Sequence, residues 1–130
     1  MPIEYKVAEN GHFIHAVATG EVTEEQFIEY ESGHLTDARL RSPFKELLEI
    51  RDGSFRLVTP RAIEQLVARR GQPGSRHPWH DCAIVVAYSD ADAWDLAKLY
   101  ERLATLHSPC SVIVFGDVGI AKTWLGVSTP

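Results

Sequence analysis

The stretch that decides the fold is Ser111-Val-Ile-Val-Phe-Gly-Asp-Val-Gly-Ile-Ala-Lys-Thr-Trp-Leu125, in a chain of 130 residues. Val112 to Phe115 form an uninterrupted β-branched and aromatic run, which is typical of a strand covered on both faces. Asp117 is placed to cap a following helix. That helix has apolar residues recurring on one side, namely Ile120, Ala121, Trp124 and Leu125. The stretch therefore predicts a buried strand, a turn and a short amphipathic helix.

The segment before this stretch predicts another strand followed by a long helix. Cys82 to Tyr88 is the most hydrophobic run of the sequence, too short for a membrane span and suited to a strand inside a sheet. Ser89-Asp90 can cap a helix, and apolar residues then recur at helical spacing as far as Leu106. Ser108-Pro109 ends the helix before the final strand begins.

The beginning of the chain predicts a hairpin and a capped helix. Ile3, Tyr5 and Val7 alternate with charged residues, which is the period of a half-buried strand. Asn10-Gly11 then indicates a hairpin turn, because both residue types accept positive φ. The return strand spans Phe13 to Thr19 and is antiparallel to the first. Thr23, with Gln26 three residues later, forms a capping box for the first helix.

The middle of the chain adds a strand and a helix and completes the fold class. Phe44 to Ile50 predicts the third strand, and Thr59-Pro60 begins a helix that stops before Gly71. Gln72 to Pro78 reads as an exposed loop. After one hairpin, the alternation of helices and strands requires parallel strands joined by right-handed crossovers. We expect a single α/β domain over residues 1–130, with a five-stranded mixed sheet, an N-terminal hairpin and four helices.

Composition excludes several partner classes. The formal net charge of −5 and the scattered Lys and Arg residues disfavour nucleic acid, which selects a basic patch. No apolar run approaches the ~18 residues of a membrane span, and the first residues contain no apolar signal core, so we expect a cytoplasmic protein without an integral membrane segment. Cys82 and Cys110 lie far apart beside predicted strands and are interpreted as reduced, partly buried thiols.

No motif in the sequence indicates catalysis or the binding of a cofactor. A Gly-x-Ser-x-Gly elbow, a phosphate-binding glycine loop and a dinucleotide fingerprint are all absent. Glu46 and Glu49 are candidate acid and base, but their odd separation on a strand sends them to opposite faces. We therefore expect a non-enzymatic protein that uses no cofactor.

Histidines offer a metal site only in principle. His77 to Cys82 contains two imidazoles and a thiol, but the spacing is not that of a zinc site and no second Cys/His pair completes four ligands. His12 and His15 lie three apart on a predicted strand, so they point to opposite faces. We expect no metal.

The element order and several local sequences resemble the STAS domains, and more closely the related SpoIIAA-like family. The resemblance covers nearly the whole chain. It rests on Gly20 followed by Val22-Thr23-Glu24-Glu25 leading into the first helix, and on the ending from Val112 through Ala121 to Trp124-Leu125. It implies a STAS-like fold, which is also similar to that of the lipid-holding CRAL-TRIO domains. Members of the SpoIIAA-like family mostly lack an assigned biochemical role.

The resemblance also suggests a regulatory site. Anti-sigma-factor antagonists of the STAS family bind a kinase and are phosphorylated on a serine that begins the helix after the third strand, usually within an Asp-Ser-Ser-Gly-like motif. Here that region, Asp52 to Pro60, lacks the motif. The hydroxyls of Thr59 and Ser54 are the candidate phosphoacceptors, while the alternative interpretation is a helix cap for Thr59 and a turn residue for Ser54.

Aromatic residues on the predicted helices allow two further interpretations. Trp94, Tyr100 and Trp124 belong either to the core or to an apolar cleft or dimer surface. Two functions follow from these alternatives. The first is a regulatory or protein-interaction module that recognises a protein partner or a second copy of itself. The second is a carrier or sensor that binds a lipid-like apolar molecule between helices and sheet.

Overall fold

A computed structural model of the chain describes residues 3–33, 38–41, 43–70, 80–107 and 111–127. Within these residues the strands are β1 (Ile3–Ala8), β2 (Phe13–Ala18), β3 (Phe44–Ile50), β4 (His80–Val86) and β5 (Ser111–Phe115). The helices are α1 (Glu24–Gly33), α2 (Pro60–Arg70), α3 (Ala91–His107) and α4 (Val118–Leu125). In this part of the chain no helix is both long and apolar enough to cross a membrane. The predicted loop at 72–78 and Cys110 lie outside the described residues.

The first two strands form the predicted hairpin. β1 and β2 are antiparallel, with Ala8 opposite Phe13 next to the turn and Ile3 opposite Ala18 at the far end. The turn is a single 3-10 turn in which Asn10 has φ 57° and Gly11 has φ 93°. The expectation of positive φ at both residues is confirmed.

The sheet has the strand order β1-β2-β3-β4-β5, and every pair after the hairpin is parallel. Each crossover moves one strand along the sheet in the same direction. Because right-handed crossovers that move in one direction place their helices on one face, α1, α2 and α3 share a side of the sheet. The predicted α/β fold, with its mixed five-stranded sheet and four helices, is confirmed.

The main core lies between the sheet and these three helices. Ile14, Leu48 and Ile84 point into it from three neighbouring strands and are at most 1% exposed. Phe27 of α1 and Tyr100 of α3 belong to the same core and contact each other edge-on, with ring centroids 6.2 Å apart. The alternation along β2, with Ile14, Ala16 and Ala18 buried, shows that one residue in two serves this core.

The opposite face of the sheet is covered by α4. Asp117 caps this helix by accepting a hydrogen bond from the Ile120 N–H at 3.0 Å, as predicted. Ala121 and Leu125 are buried against Leu47 and Ala83 of the sheet. The predicted apolar side was too wide, because Ile120 is 60% and Trp124 is 41% exposed. α4 contacts the central strands β3 and β4 through the narrow stripe of Ala121 and Leu125, and its other sides stay exposed to solvent, so this prediction is corrected.

Local capping sets most of the remaining boundaries. The Gln26 N–H donates to Thr23 Oγ1 at 3.1 Å and the Thr23 N–H donates to Gln26 Oε1 at 2.9 Å, which confirms the capping box. The predicted strand Cys82 to Tyr88 was placed two residues too late. The Asp90 N–H donates to the Ala87 carbonyl at 3.0 Å, so the chain is already turning, and Tyr88 is 74% exposed. Its aromatic ring packs outside the sheet.

Candidate functional site

A groove opens at the carboxyl edge of the parallel strands, between the loop after β3 and the first turns of α3. Its volume is about 320 Å³, and its lining comprises Phe55, Arg56, Val58, Thr59, Pro60, Asp92, Asp95, Leu96 and Leu99. Binding sites are typically concave and lined by apolar side chains with a few polar groups. The shape and the lining of this groove therefore make it the leading candidate site.

The loop that forms one wall is fixed by hydrogen bonds to both neighbouring loops. The Val22 N–H donates to the Ser54 carbonyl at 2.9 Å, which ties the loop to the segment before α1. On the other side, the Gly53 N–H donates to Asp90 Oδ2 at 3.0 Å. Asp90 also caps α3, because its Oδ1 accepts from the Ala93 N–H at 3.3 Å. One carboxylate thus holds both walls of the groove in place.

Thr59 lies in the groove and is exposed, as a phosphoacceptor must be. Its hydroxyl donates to Glu24 Oε2 of α1 at 3.0 Å. Arg56, in the same loop, forms an ion pair with Glu21 just before α1. These two side-chain contacts add to the backbone bond between Val22 and Ser54 in linking the loop to the start of α1, and a phosphate on Thr59 would face the Glu24 carboxylate.

Ser54 occupies a different environment from Thr59. Its side chain is fully buried, and its hydroxyl donates to the Arg51 carbonyl at 2.8 Å. This is the contact of a turn residue. Phosphorylation of Ser54 would require the loop to open, so Thr59 is the hydroxyl that the structure leaves accessible.

Phe55 and Leu96 form the floor of the groove and separate it from the core. Behind them the space next to Tyr100 is about 10 Å³, roughly the volume that one water molecule requires. Phe27 closes this interior, with its ring 5.0 Å from the Phe55 ring in an edge contact. Tyr100 is 1% exposed and belongs to the core.

The structure does not bring the three predicted aromatic residues together. Trp94 of α3 packs on Tyr88, with ring centroids 4.9 Å apart, whereas Trp124 of α4 packs on Phe115 across the sheet rim at 5.7 Å. Gly116 lies against the Tyr88 ring, since a Cβ there would be 2.1 Å from it. The two aromatic pairs are therefore separate from each other and from the lining of the groove.

Glu46 and Glu49 lie on opposite faces of β3, as their spacing predicts. Glu46 is fully buried and accepts a hydrogen bond from the Tyr30 hydroxyl at 2.7 Å. Burial, followed by the nearby carboxyl groups of Glu46 and Glu31, raises the pKa of Tyr30 well above its ordinary value of 10.0. Glu49 instead accepts a hydrogen bond from His15 Nε2 at 2.5 Å, on the face of the sheet opposite to the main core. The two carboxyl groups cannot act on one substrate.

His12 and His15 have separate environments, as their spacing on the strand predicts. His12 Nδ1 donates to the Pro43 carbonyl at 2.8 Å, far from the His15 contact with Glu49. Across the described ranges, no three His, Cys, Asp or Glu side chains are grouped so that they could hold a metal ion. His77 lies outside the described residues, and Cys82 is fully buried.

The outer edge of β5 is occupied by a side chain of the protein itself. The Val114 N–H donates to Glu101 Oε2 of α3 at 3.2 Å, and Lys98 holds the same carboxylate at 3.0 Å. An added strand would have to displace Glu101. This protects the edge against strand pairing with another chain.

Comparison of the chain with protein-family models, with curated proteins and with solved structures gave no match. The similarity to SpoIIAA-like domains remains a prediction from the sequence. The functional argument therefore depends on the geometry of the site.

The sequence indicates only one part of the groove, the loop that contains Thr59. Thr59 was identified, but Asp92, Asp95 and Leu99 looked like the ordinary exposed and apolar positions of an amphipathic helix. Nothing in their spacing indicates which of them faces a loop that lies some 35 residues earlier in the chain. The position of Asp90 before α3 predicts a cap, whereas its second bond, to Gly53, depends on the sheet order.

Proposed function

We propose that this protein is a non-enzymatic regulatory module that binds a segment of a partner protein in the groove between the β3–α2 loop and α3. The proposal rests on the difference between the two sides of Phe55 and Leu96. The interior behind them is filled, whereas the groove in front of them stays open and lined with apolar side chains. Exposed apolar surface with a polar rim is typical of interaction sites.

The rim of the groove suggests the chemistry of the partner segment. Asp92 and Asp95 lie three residues apart on α3 and place two exposed carboxylates on one side. Leu99, half-buried on the same helix, offers apolar contact one turn further on. A segment that carries an apolar side chain beside a lysine or arginine would match both features.

Phosphorylation of Thr59 is the proposed means of regulation. The resemblance to anti-sigma-factor antagonists supports a phosphoacceptor at the start of α2, where Thr59 lies. A phosphate adds a charge of about −1.5 to −2 at pH 7. Placed beside Glu24 it would replace a hydrogen bond with repulsion and add negative charge to a groove whose other rim is already acidic. Phosphorylation should therefore weaken binding of a basic segment.

Photocrosslinking from the groove tests the proposal. A photoreactive phenylalanine analogue replaces Leu99 in living cells, and mass spectrometry identifies the crosslinked proteins. The matched control carries the analogue at Leu106, which is 68% exposed on the same helix but outside the groove. We expect one protein, or a second copy of this chain, to be captured from position 99 and not from position 106. Equal capture from both positions would contradict the proposal.

The carrier function remains the alternative hypothesis. The space beside Tyr100 is about 10 Å³, so a lipid-like molecule would have to occupy the surface groove of about 320 Å³. Native mass spectrometry of freshly purified protein separates the two functions. A bound lipid-sized mass that is lost in Leu99→Arg would favour the carrier, and a ligand-free spectrum favours the interaction module.

A further inference from the structure

The two edges of the sheet differ in what occupies them. At the β5 edge the Val114 N–H is held by the Glu101 carboxylate of α3. β1 forms the other edge, because it pairs with β2 alone. Within the described residues, no backbone hydrogen bond joins Ile3 or Val7 to a segment outside the hairpin. The β1 edge is therefore the one at which another strand can add, and it shares no residue with the lining of the groove.

The hydrogen bonds of β2 show which residues of β1 face this edge. The carbonyls of His12, just before β2, and of Ala18, its last residue, accept from N–H groups of β3 and of the residue after it. The even-numbered residues of β2 therefore direct their backbone groups towards β3, and the odd-numbered ones towards β1. Their partners by register are the even-numbered residues of β1. Ile3 and Val7 lie between these partners, so their N–H and C=O groups point to the outer edge.

The side chains of β1 have a self-complementary order. Glu4 and Lys6 are exposed, whereas Ile3 is buried and Val7 is half-buried. A second β1 that runs antiparallel around a two-fold axis at Tyr5 places Glu4 opposite the Lys6 of the other copy. The same axis places Ile3 opposite Val7, and each such pair can exchange two backbone hydrogen bonds. The charged pairs then fall at the positions without these bonds, where facing side chains come closest.

Other registers lack this match. If the second strand slides by two residues, either Glu4 meets its own copy or Lys6 does, and like charges directly opposite each other are destabilising. Tyr5 lies on the two-fold axis with its ring 5.8 Å from that of Tyr30 in the core, and the pairing does not depend on its hydrogen bonds. We propose that β1 pairs antiparallel with the β1 of a second copy of this chain, which joins the two sheets into one.

Sedimentation velocity of the full chain tests the pairing through charge reversal. We expect a dimer at micromolar to submillimolar concentration. Glu4→Lys and Lys6→Glu should each raise the dimer dissociation constant about tenfold or more, because each turns two attractive pairs into repulsive ones. The double variant Glu4→Lys/Lys6→Glu exchanges the charges and keeps the pairs attractive. It should restore the dissociation constant to within about threefold of the wild-type value.

Two controls make the same charge changes elsewhere. Arg61→Glu and Glu64→Lys alter exposed positions of α2 and should dimerise like the wild type. A wild-type chain that stays monomeric throughout this range would overturn the proposal. So would single variants that dimerise as well as the controls, or a double variant that is no better than the single ones.

Disulfide formation tests the register. A mixture of Glu4→Cys and Lys6→Cys chains should form an intermolecular disulfide that mass spectrometry maps to positions 4 and 6, because facing Cα atoms there lie about 4.5 Å apart. Each variant alone should crosslink far less, since its copies lie about 7–8 Å apart on the diagonal. No disulfide in the mixture, or equal crosslinking in the mixture and in either variant alone, would contradict the register.

Discussion

Phe55 and Leu96 separate two regions of the molecule, the core on one side and the surface groove on the other. Towards the sheet they border a cavity of about 10 Å³, and towards solvent they form the floor of a groove of about 320 Å³. The same two side chains therefore serve packing on one side and are available for recognition on the other. The difference shows that burial of an apolar residue does not exclude it from a binding site.

The crossovers explain why the two regions differ. Three right-handed crossovers in one direction stack α1, α2 and α3 over one face and seal the interior. The loops at the carboxyl edge are not covered by this layer. Their positions depend on hydrogen bonds such as that from the Gly53 N–H to Asp90, so they can form an open groove without weakening the core.

The largest effect on the free energy of unfolding is expected for Tyr100, on the core side of Phe55 and Leu96. Tyr100→Ala should lower the free energy of unfolding by about 3–5 kcal/mol, because it removes a large buried ring and leaves a cavity. Urea denaturation measures this change. Leu106→Ala on the same helix should change stability by no more than about 0.5 kcal/mol. If Tyr100→Ala does not fold, Tyr100→Leu should give a smaller loss with the same sign.

Burial of Tyr30 makes the stability of the folded chain depend on pH in the alkaline range. Its pKa is raised by burial and by Glu46, so the folded chain keeps the phenol proton after the unfolded chain begins to lose it near pH 10. The stabilising contribution is therefore complete below pH 10 and is lost as pH rises above it. The slope is up to about −1.4 kcal/mol per pH unit.

Alkaline denaturation of Tyr30→Phe tests that slope. The variant keeps the ring but has no phenol proton, so its stability should fall less steeply above pH 10 than that of the wild type. Tyr88→Phe is the matched control, because Tyr88 is 74% exposed and should leave the slope unchanged. Identical slopes in Tyr30→Phe and the wild type would contradict the assignment.

A substitution on the groove side should separate stability from binding. Leu99→Arg places a cation and extra length in the groove, while its aliphatic stem still covers the neighbouring apolar surface. We expect a stability loss of about 1 kcal/mol, measured by urea denaturation. A loss as large as that of Tyr100→Ala would mean that Leu99 belongs to the core and that the comparison fails.

The smallest effect on stability is expected at Thr59, on the rim of the groove. Thr59→Glu places a carboxylate beside Glu24 and should destabilise the chain by about 0.5 kcal/mol or less, since exposed like charges repel weakly in water. Thermal unfolding at low salt measures the change. In a Glu24→Gln background the effect should disappear. A cost that persists in that background would show that the repulsion does not arise from Glu24.

The fold was largely predictable because local signals agreed with the tertiary structure. Asn10-Gly11, the Thr23–Gln26 capping box and Asp117 each determine a turn or a helix start from a few neighbouring residues. The end of β4 was not predictable in this way. Tyr88 favours a strand by propensity, but it packs on Gly116 and Trp94 after the chain has turned.

The candidate site was predictable only at Thr59. The groove requires residues that are distant in sequence, such as Asp90 with Gly53. Their contacts follow from the strand order and from loop conformations that no local pattern encodes. The sequence left Trp124 open between the core and an exposed surface, and in the structure it packs on Phe115 while 41% of it remains exposed.

The most direct test of the central claim is the affinity of the crosslinked partner for purified variants. Isothermal titration calorimetry compares the wild type, Leu99→Arg and the control Leu106→Arg. Binding in the groove predicts that Leu99→Arg weakens the affinity about tenfold or more, as expected for loss of a central apolar contact, while Leu106→Arg leaves it unchanged. Equal affinity of Leu99→Arg and the wild type would contradict the claim that the groove is the recognition site.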